Sequence, residues 1–222
     1  MVTYKLHLIR HGMTEGNRTG RYVGRTDLPV CPQGKEELEA LRRRYAYPKV
    51  QEVYCSPLLR CRQTADILYP DSPLTVVEDL VEMSMGEFEG KLVADLKNLP
   101  AYRAWISDSL RNHPPGGLES GEQFAARISG ALHNIFQNMT QNAVGEAAVI
   151  THGGVIMGLL STFAMPRLPL REWAVANGSG YTVRMSTGLW MRDSVVEVAG
   201  SIPKGFTAGS DKRVMDSLGT EA

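Results

Sequence analysis

The sequence predicts an α/β fold: a mainly parallel central sheet flanked by helices on both faces. Three observations lead there. Strand-like and helix-like segments alternate along the chain, and the connections between them are short, as in strand–helix–strand crossovers. The 222 residues, 43% hydrophobic and 22% charged, are enough for one well-packed domain of ordinary globular composition.

The elements follow in order. Tyr4 to Ile9 is β-rich and runs into Arg10-His11-Gly12. After Pro32, Leu38, Leu41 and Tyr45 share one helical face. Glu52 to Cys55 is a second short strand. It leads into Ser56-Pro57, a helix start with serine as cap and proline at the first position. Leu58, Cys61, Ala65 and Leu68 then line one side. Leu74 to Val77 is a weaker strand. Residues 98–117 show little periodicity and end in Pro114-Pro115-Gly116-Gly117, so about 85–118 reads as an inserted helical cap or lid. The longest helix runs from about Ser120 to Asn142, with Phe124, Ile128, Leu132, Ile135 and Met139 on its apolar stripe. Ala147 to Thr151 is a strand ending at His152-Gly153-Gly154. Thr182 to Val198 alternates around Gly188 and reads as a hairpin or edge strands. A single domain over 1–199 results. Residues 200–222, rich in Gly, Ser and charge, read as an irregular tail outside the core.

Bulk properties exclude several classes. The formal net charge is zero, which argues against a nucleic-acid partner. No segment approaches the ~18 apolar residues of a membrane span, and the N-terminal apolar stretch is too short for a signal peptide. Cys31, Cys55 and Cys61 are odd in number and form no CxxC pair, so neither a disulfide framework nor a structural zinc site is expected. A reducing cytoplasm fits these features, and a monomer or homodimer is the expected state.

The polar residues fall at telling places. In a parallel α/β sheet, ligands bind outside the carboxyl ends of the strands. Arg10-His11-Gly12 and His152-Gly153-Gly154 each follow a strand, and Arg60 lies in the first turn of the helix after Ser56-Pro57. If the strands are parallel neighbours, two histidines and two arginines share one edge. Arginine binds phosphate oxygens bidentately, helix N-termini add N–H donors, and the glycines allow close approach of a ligand. A neutral imidazole can attack phosphorus. A carboxylic acid could protonate a departing alkoxide, and Glu82, Glu87 and Glu89 cluster in sequence. Taken singly, each feature is ordinary: a histidine after a strand is commonly a satisfied loop residue, and a lone arginine a surface charge. Their coincidence at three strand ends points to an anion site.

These residues also carry a resemblance. Leu8-Ile9-Arg10-His11-Gly12-Met13-Thr14-Glu15-Gly16-Asn17 resembles the signature of the histidine phosphatase superfamily, which includes cofactor-dependent phosphoglycerate mutases and α-ribazole phosphatases. Further matches follow in family order: Gly24-Arg25-Thr26-Asp27-Leu28, then Ser56 to Ala65, then Glu82 to Gly90, then Thr151-His152-Gly153-Gly154. The resemblance implies a phosphoglycerate mutase-like fold. It makes His11 the nucleophile, with Arg10, Arg60 and His152 clamping the phosphoryl oxygens and Asn17 helping to orient them. Glu82 becomes the proton donor and later the base for water, while Glu87 and Glu89 read as solvated or structural. Arg21, Gly24 and Gly153 join the substrate-binding set. No metal and no cofactor is expected, and the implied partner is a small phosphorylated metabolite.

The resemblance leaves phosphatase and mutase open. Arg21 matches a substrate-facing arginine of mutases. Met85, Val93 and the separate Arg103 and Arg111 stand where mutases carry a tyrosine, a lysine and paired arginines. These departures favour a phosphatase. The segment Gly86 to Lys91 and the Pro-Gly-Gly stretch resemble α-ribazole phosphatases, except that Leu118 separates Gly117 from Glu119-Ser120. A cysteine-based phosphatase fails on spacing, because four residues separate Cys55 from Arg60 and six separate it from Arg62. A non-catalytic phospho-ligand binder would not need both His11 and Glu82.

Overall fold

The computed structural model describes residues 2–205. The strands are β1 (Thr3–Arg10), β2 (Glu52–Cys55), β3 (Leu74–Val76), β4 (Glu146–Thr151), β5 (Ala164–Met165), β6 (Gly180–Ser186) and β7 (Val196–Ile202). The helices are α1 (Glu15–Arg18), α2 (Pro32–Arg44), α3 (Leu59–Leu68), α4 (Val93–Leu96), α5 (Pro100–Ser107), α6 (Gly121–Gln141), α7 (Gly153–Phe163) and α8 (Thr187–Asp193). The sheet order is β3-β2-β4-β1-β6-β7-β5. β3, β2, β4 and β1 are mutually parallel, and β6 runs antiparallel to both β1 and β7. The fold is therefore α/β with a mostly parallel sheet, as expected.

Period-two alternation decides which helices cover which face. Leu6 and Leu8 of β1 and Ala147 and Val149 of β4 pack with Phe124, Ile128, Leu132 and Ile135 of α6 and with Val155 and Leu159 of α7. Their alternates, Ile9, Ala148 and Ile150, pack on the other side with Leu38 of α2 and Cys61 and Ala65 of α3. Each face thus buries its own apolar layer. The α6 stripe read from the sequence is buried throughout, and the helix starts at a capping box in which Ser120 and Gln123 bond reciprocally.

Three sequence expectations change. The helix after Pro57 begins at Leu59, not at Pro57, and its N-cap residue Leu58 supplies no side-chain bond. Asp27 does so from a distant loop, its carboxylate accepting from the Leu59 N–H at 2.7 Å. Thr182 to Val198 is not a tight hairpin: Gly188 lies inside α8, which connects the antiparallel strands β6 and β7. The proposed boundary at residue 199 cuts through β7, because Gly200, Ser201 and Ile202 pair with Thr182, Tyr181 and Gly180. Ile202 is buried in the core layer beneath α2 and α3. The rest of the expected tail, from residue 206, lies outside the described residues.

The segment 85–118 does carry short helices, α4 and α5. Phe88, Leu96, Tyr102 and Trp105 join the same apolar layer as Phe124 and Ile128, so the insert is packed onto the domain. Tyr22, from the loop after α1, hydrogen-bonds Tyr102 at 2.9 Å between the two hydroxyls.

Candidate active site

The parallel order β2-β4-β1 meets the condition set by the sequence: the residues after these strands share one sheet edge. His11 follows β1, and its N–H continues the ladder to the Thr151 carbonyl at 2.9 Å. Its own carbonyl accepts from the Asn177 side-chain amide at 2.9 Å. The next N–H, that of Gly12, is bonded by Thr64 Oγ of α3 at 2.8 Å. The backbone of the histidine loop is therefore tied to three separate elements.

The ring of His11 is buried, and Nδ1 lies 2.7 Å from the Gly12 carbonyl. A carbonyl only accepts, so Nδ1 carries the proton and Nε2 keeps its lone pair. Burial is the first cause holding His11 well below the ordinary histidine value. Arg60 and Arg10 add to this, and the Gly12 bond opposes it. Burial thus outranks the cations that the sequence brings to mind, and both act in the direction that keeps the imidazole neutral.

Arg60 is completely buried in the first turn of α3. Its guanidinium donates to the carbonyls of Thr26 (2.9 Å) and Gly24 (2.7 Å) and to His152 Nδ1 (3.1 Å), while its Nε–H has no protein partner. A buried donor without a partner is costly and suits an anionic ligand. His152 lies with its ring centroid 5.2 Å from that of His11. Arg60 can only donate, so His152 Nδ1 accepts and Nε2–H donates to Ser56 Oγ at 2.8 Å. Burial and then Arg60 hold His152 far below the ordinary value. Arg10 donates to the Val175 carbonyl at 2.8 Å. Its guanidinium lies so near Gly153 that a β-carbon there would sit 3.4 Å from Nε.

Glu82 is buried, and its two carboxylate oxygens accept from the backbone N–H groups of Met83 and Gly154, each at 2.9 Å. Burial raises its pKa. The two N–H groups, Arg60 and Arg10 oppose that rise, so the net shift favours a carboxylic acid more than in water. Among the described residues, His, Cys, Asp and Glu form no group that could hold a metal ion.

Other expected site residues stand differently. Asn17 closes a capping box with Thr14, its Oδ1 accepting from the Thr14 N–H and hydroxyl, so only its amide nitrogen has donors to offer a ligand. Gly24 was expected to touch substrate. Its N–H donates to Glu89 at 3.0 Å and its carbonyl accepts from Arg60, so its backbone holds the clamp. A β-carbon there would strike the Met83 carbonyl at 2.2 Å. Arg21 is exposed, and its guanidinium donates to the Gly90 carbonyl at 2.6 Å, apart from the histidine pair's contacts. His152 was expected to grip phosphoryl oxygens directly. In this geometry both its ring nitrogens serve Ser56 and Arg60.

Several site residues escaped the sequence reading. Ser56, taken for a helix cap, orients His152. Thr64 and Asp27 stood within motif segments without an assigned role. Glu89 is structural in a specific way: it accepts from the Gly24 and Arg25 N–H groups, the Thr26 hydroxyl and the Met85 N–H. Asn177 lies 166 positions from His11, and nothing in the sequence signals their contact.

Comparison with known proteins identifies the family. The chain matches the family described as the histidine phosphatase superfamily (branch 1) over residues 6–196. It is 30% identical to the adenosylcobalamin/α-ribazole phosphatase of Escherichia coli, over 78% of this chain and 86% of that one. A phosphoglycerate mutase structure from Thermus thermophilus shares 30% identity at TM-score 0.62, covering 82% of this chain and 93% of that one. The α-ribazole phosphatase of Shigella flexneri superposes with TM-score 0.73 at 23% identity, covering 87% and 94%, a likeness of fold. Among the described residues, no helix is long and apolar enough to cross a membrane.

Proposed function

This chain belongs to the histidine phosphatase superfamily, and from that premise we propose that it is a metal-independent phosphatase acting on a small phosphomonoester through a phosphohistidine at His11. The observation that carries this reading is the fixed tautomer of His11, whose Nδ1–H is spent on Gly12 and whose Nε2 lone pair is left beside two arginines.

In the proposed first step, His11 Nε2 attacks phosphorus and the bond from phosphorus to the alkyl oxygen breaks. Glu82 gives its proton to the departing alkoxide. Arg10, Arg60 and the Asn17 amide hold the phosphoryl oxygens, and the arginines offset their growing charge. His152 serves by steadying Arg60. In the second step water attacks the phosphohistidine, Glu82 as carboxylate takes the water proton, and phosphate leaves with His11 restored.

A mutase must also seat a second anionic group and return the phosphoryl group to it. The side chains that could do so are engaged elsewhere. Arg103 donates to the Lys97 carbonyl and Arg111 pairs with Asp108 on the surface, and the position where mutases carry a lysine is the buried, apolar Val93. This favours hydrolysis.

Rapid quenching with a phosphate-labelled substrate tests the reading. It should trap an acid-labile, base-stable phosphoenzyme with the label on His11, and free phosphate should appear at each turnover. Label on Cys55 or on a serine would overturn it, as would loss of activity on exhaustive chelation that added divalent metal restores. Quantitative return of the phosphoryl group to a second metabolite would favour the mutase.

A further inference from the structure

Glu119 lies outside the catalytic cluster, yet it is buried between two arginines from different parts of the chain. One carboxylate oxygen accepts from Arg25 Nη2 at 2.9 Å and from Arg127 Nη2 at 2.6 Å, and the other accepts from Arg127 Nε at 3.0 Å. The Arg127 fork is thus bidentate, a rigid arrangement. Burial pushes the Glu119 pKa up, but the Arg127 and Arg25 bonds outweigh it, and the group stays below the usual carboxylate range.

Each arginine continues into the catalytic machinery. The remaining nitrogen of Arg127, Nη1, donates to the carbonyls of Asp79 (2.7 Å) and Val81 (2.9 Å). The carbonyl between them, that of Leu80, accepts from the Thr151 hydroxyl at 2.9 Å. Three successive carbonyls leading into Glu82 are therefore held by side chains, two of them by Arg127. Arg25 belongs to the loop whose Gly24 and Thr26 carbonyls hold the Arg60 guanidinium. The same loop is fastened to the acid segment by Glu89, which accepts from both the Arg25 and Met85 N–H groups.

We infer that Glu119 and Arg127 are positioning residues for the proton donor: together they set the peptide before Glu82 and keep the acid in register with the Arg60 clamp. The inference rests on the phosphatase reading above. It predicts a defect that depends on the leaving group. An alkyl phosphate needs a proton from Glu82 as its alkoxide departs, whereas p-nitrophenyl phosphate leaves as a stable phenolate and needs little. A carboxyl group displaced by a fraction of an ångström loses in-line proton transfer but leaves the nucleophile in place.

The test measures single-turnover phosphorylation of the full-length enzyme by an alkyl phosphate and by p-nitrophenyl phosphate. Glu119→Gln keeps shape but loses the charge. Arg127→Lys keeps charge but cannot span Glu119 and two carbonyls at once. Each variant should slow the alkyl reaction at least ~10-fold more than the aryl reaction. The alkaline limb of the alkyl rate profile should shift in both, a readout that a loss of stability alone would not move. Equal slowing for the two substrates, or no slowing, would overturn the inference; Arg127→Lys alone decides if Glu119→Gln does not fold. His11→Ala separates this from the underlying reading. If that variant keeps wild-type activity, the phosphohistidine reading falls; if it is inactive while both bridge variants keep the wild-type alkyl-to-aryl ratio, only the positioning role falls.

Discussion

The Gly154 N–H donates to the Glu82 carboxylate at 2.9 Å, and a β-carbon on residue 154 would lie 2.4 Å from the nearer carboxylate oxygen. The seat of the proton donor is thus the bare first turn of α7. Adding a methyl group forces Glu82 to move, because the helix backbone behind it cannot. Gly154→Ala should lower kcat/KM for alkyl phosphates by about 10²-fold, as a displacement near 1 Å at a reacting group does, with the α7 fold intact by circular dichroism. Unchanged kinetics would mean that the carboxylate has no fixed seat.

Thr64 links α3 to the catalytic loop, accepting from the Gly12 N–H and donating to the Arg60 carbonyl at 2.6 Å. Valine matches its shape and leaves the Gly12 N–H buried without a partner. Thr64→Val should cost about 1–3 kcal/mol in urea unfolding, the penalty of one buried unsatisfied donor. A loss within error of zero would show that water reaches Gly12.

Arg60 spans the Gly24 and Thr26 carbonyls and His152 at once. A lysine ammonium keeps the charge but not the planar fork. Arg60→Lys should reduce kcat/KM by ~10²-fold or more, equivalent to about 2.7 kcal/mol of transition-state stabilisation. Near-wild-type kinetics would place Arg60 outside the site.

Three histidines, His7, His11 and His152, are buried with pKa values below the ordinary one, in each case chiefly through burial. The unfolded chain then binds protons that the native chain refuses, so stability falls as pH drops through the unfolded value of about 6.5. Glu82 acts oppositely: its raised value makes the native state hold a proton that the unfolded state releases, so stability falls as pH rises above the unfolded carboxyl value of about 4.3. With three groups against one, the melting temperature should rise between about pH 5 and pH 7. His152→Gln should flatten the rise. A flat or falling profile in the wild type would contradict the burial of neutral imidazoles.

Much of this protein was legible in the sequence because local pattern is enough to fix it. Short β-rich runs leading into turn residues marked β1, β2 and β4, and a 3.6-residue apolar stripe marked α6, since such segments must bury their apolar residues whatever their neighbours are. Residues at or just past the ends of those strands, Arg10, His11 and His152, together with Arg60 in the first turn of α3, had to share an edge once the strands ran parallel. The ordered motifs carried the resemblance to the family.

What the tertiary structure alone decided are the contacts between residues far apart along the chain. The helix over Leu59–Leu68 is capped from Asp27, the His11 carbonyl is held by Asn177, and the peptide before Glu82 is held by Arg127. No periodicity encodes these bonds. Each satisfies a backbone group that local structure leaves without a partner, and only the packed chain determines which side chain arrives there. The same holds for Ser56: its sequence context suits a helix cap, but the neighbouring strand brings His152 to its hydroxyl, and that contact sets its role. The strand from Val196 through Ile202 is likewise a tertiary outcome. Its Gly- and Ser-containing end has weak strand propensity, and pairing with β6 and burial of Ile202 carry it past residue 199.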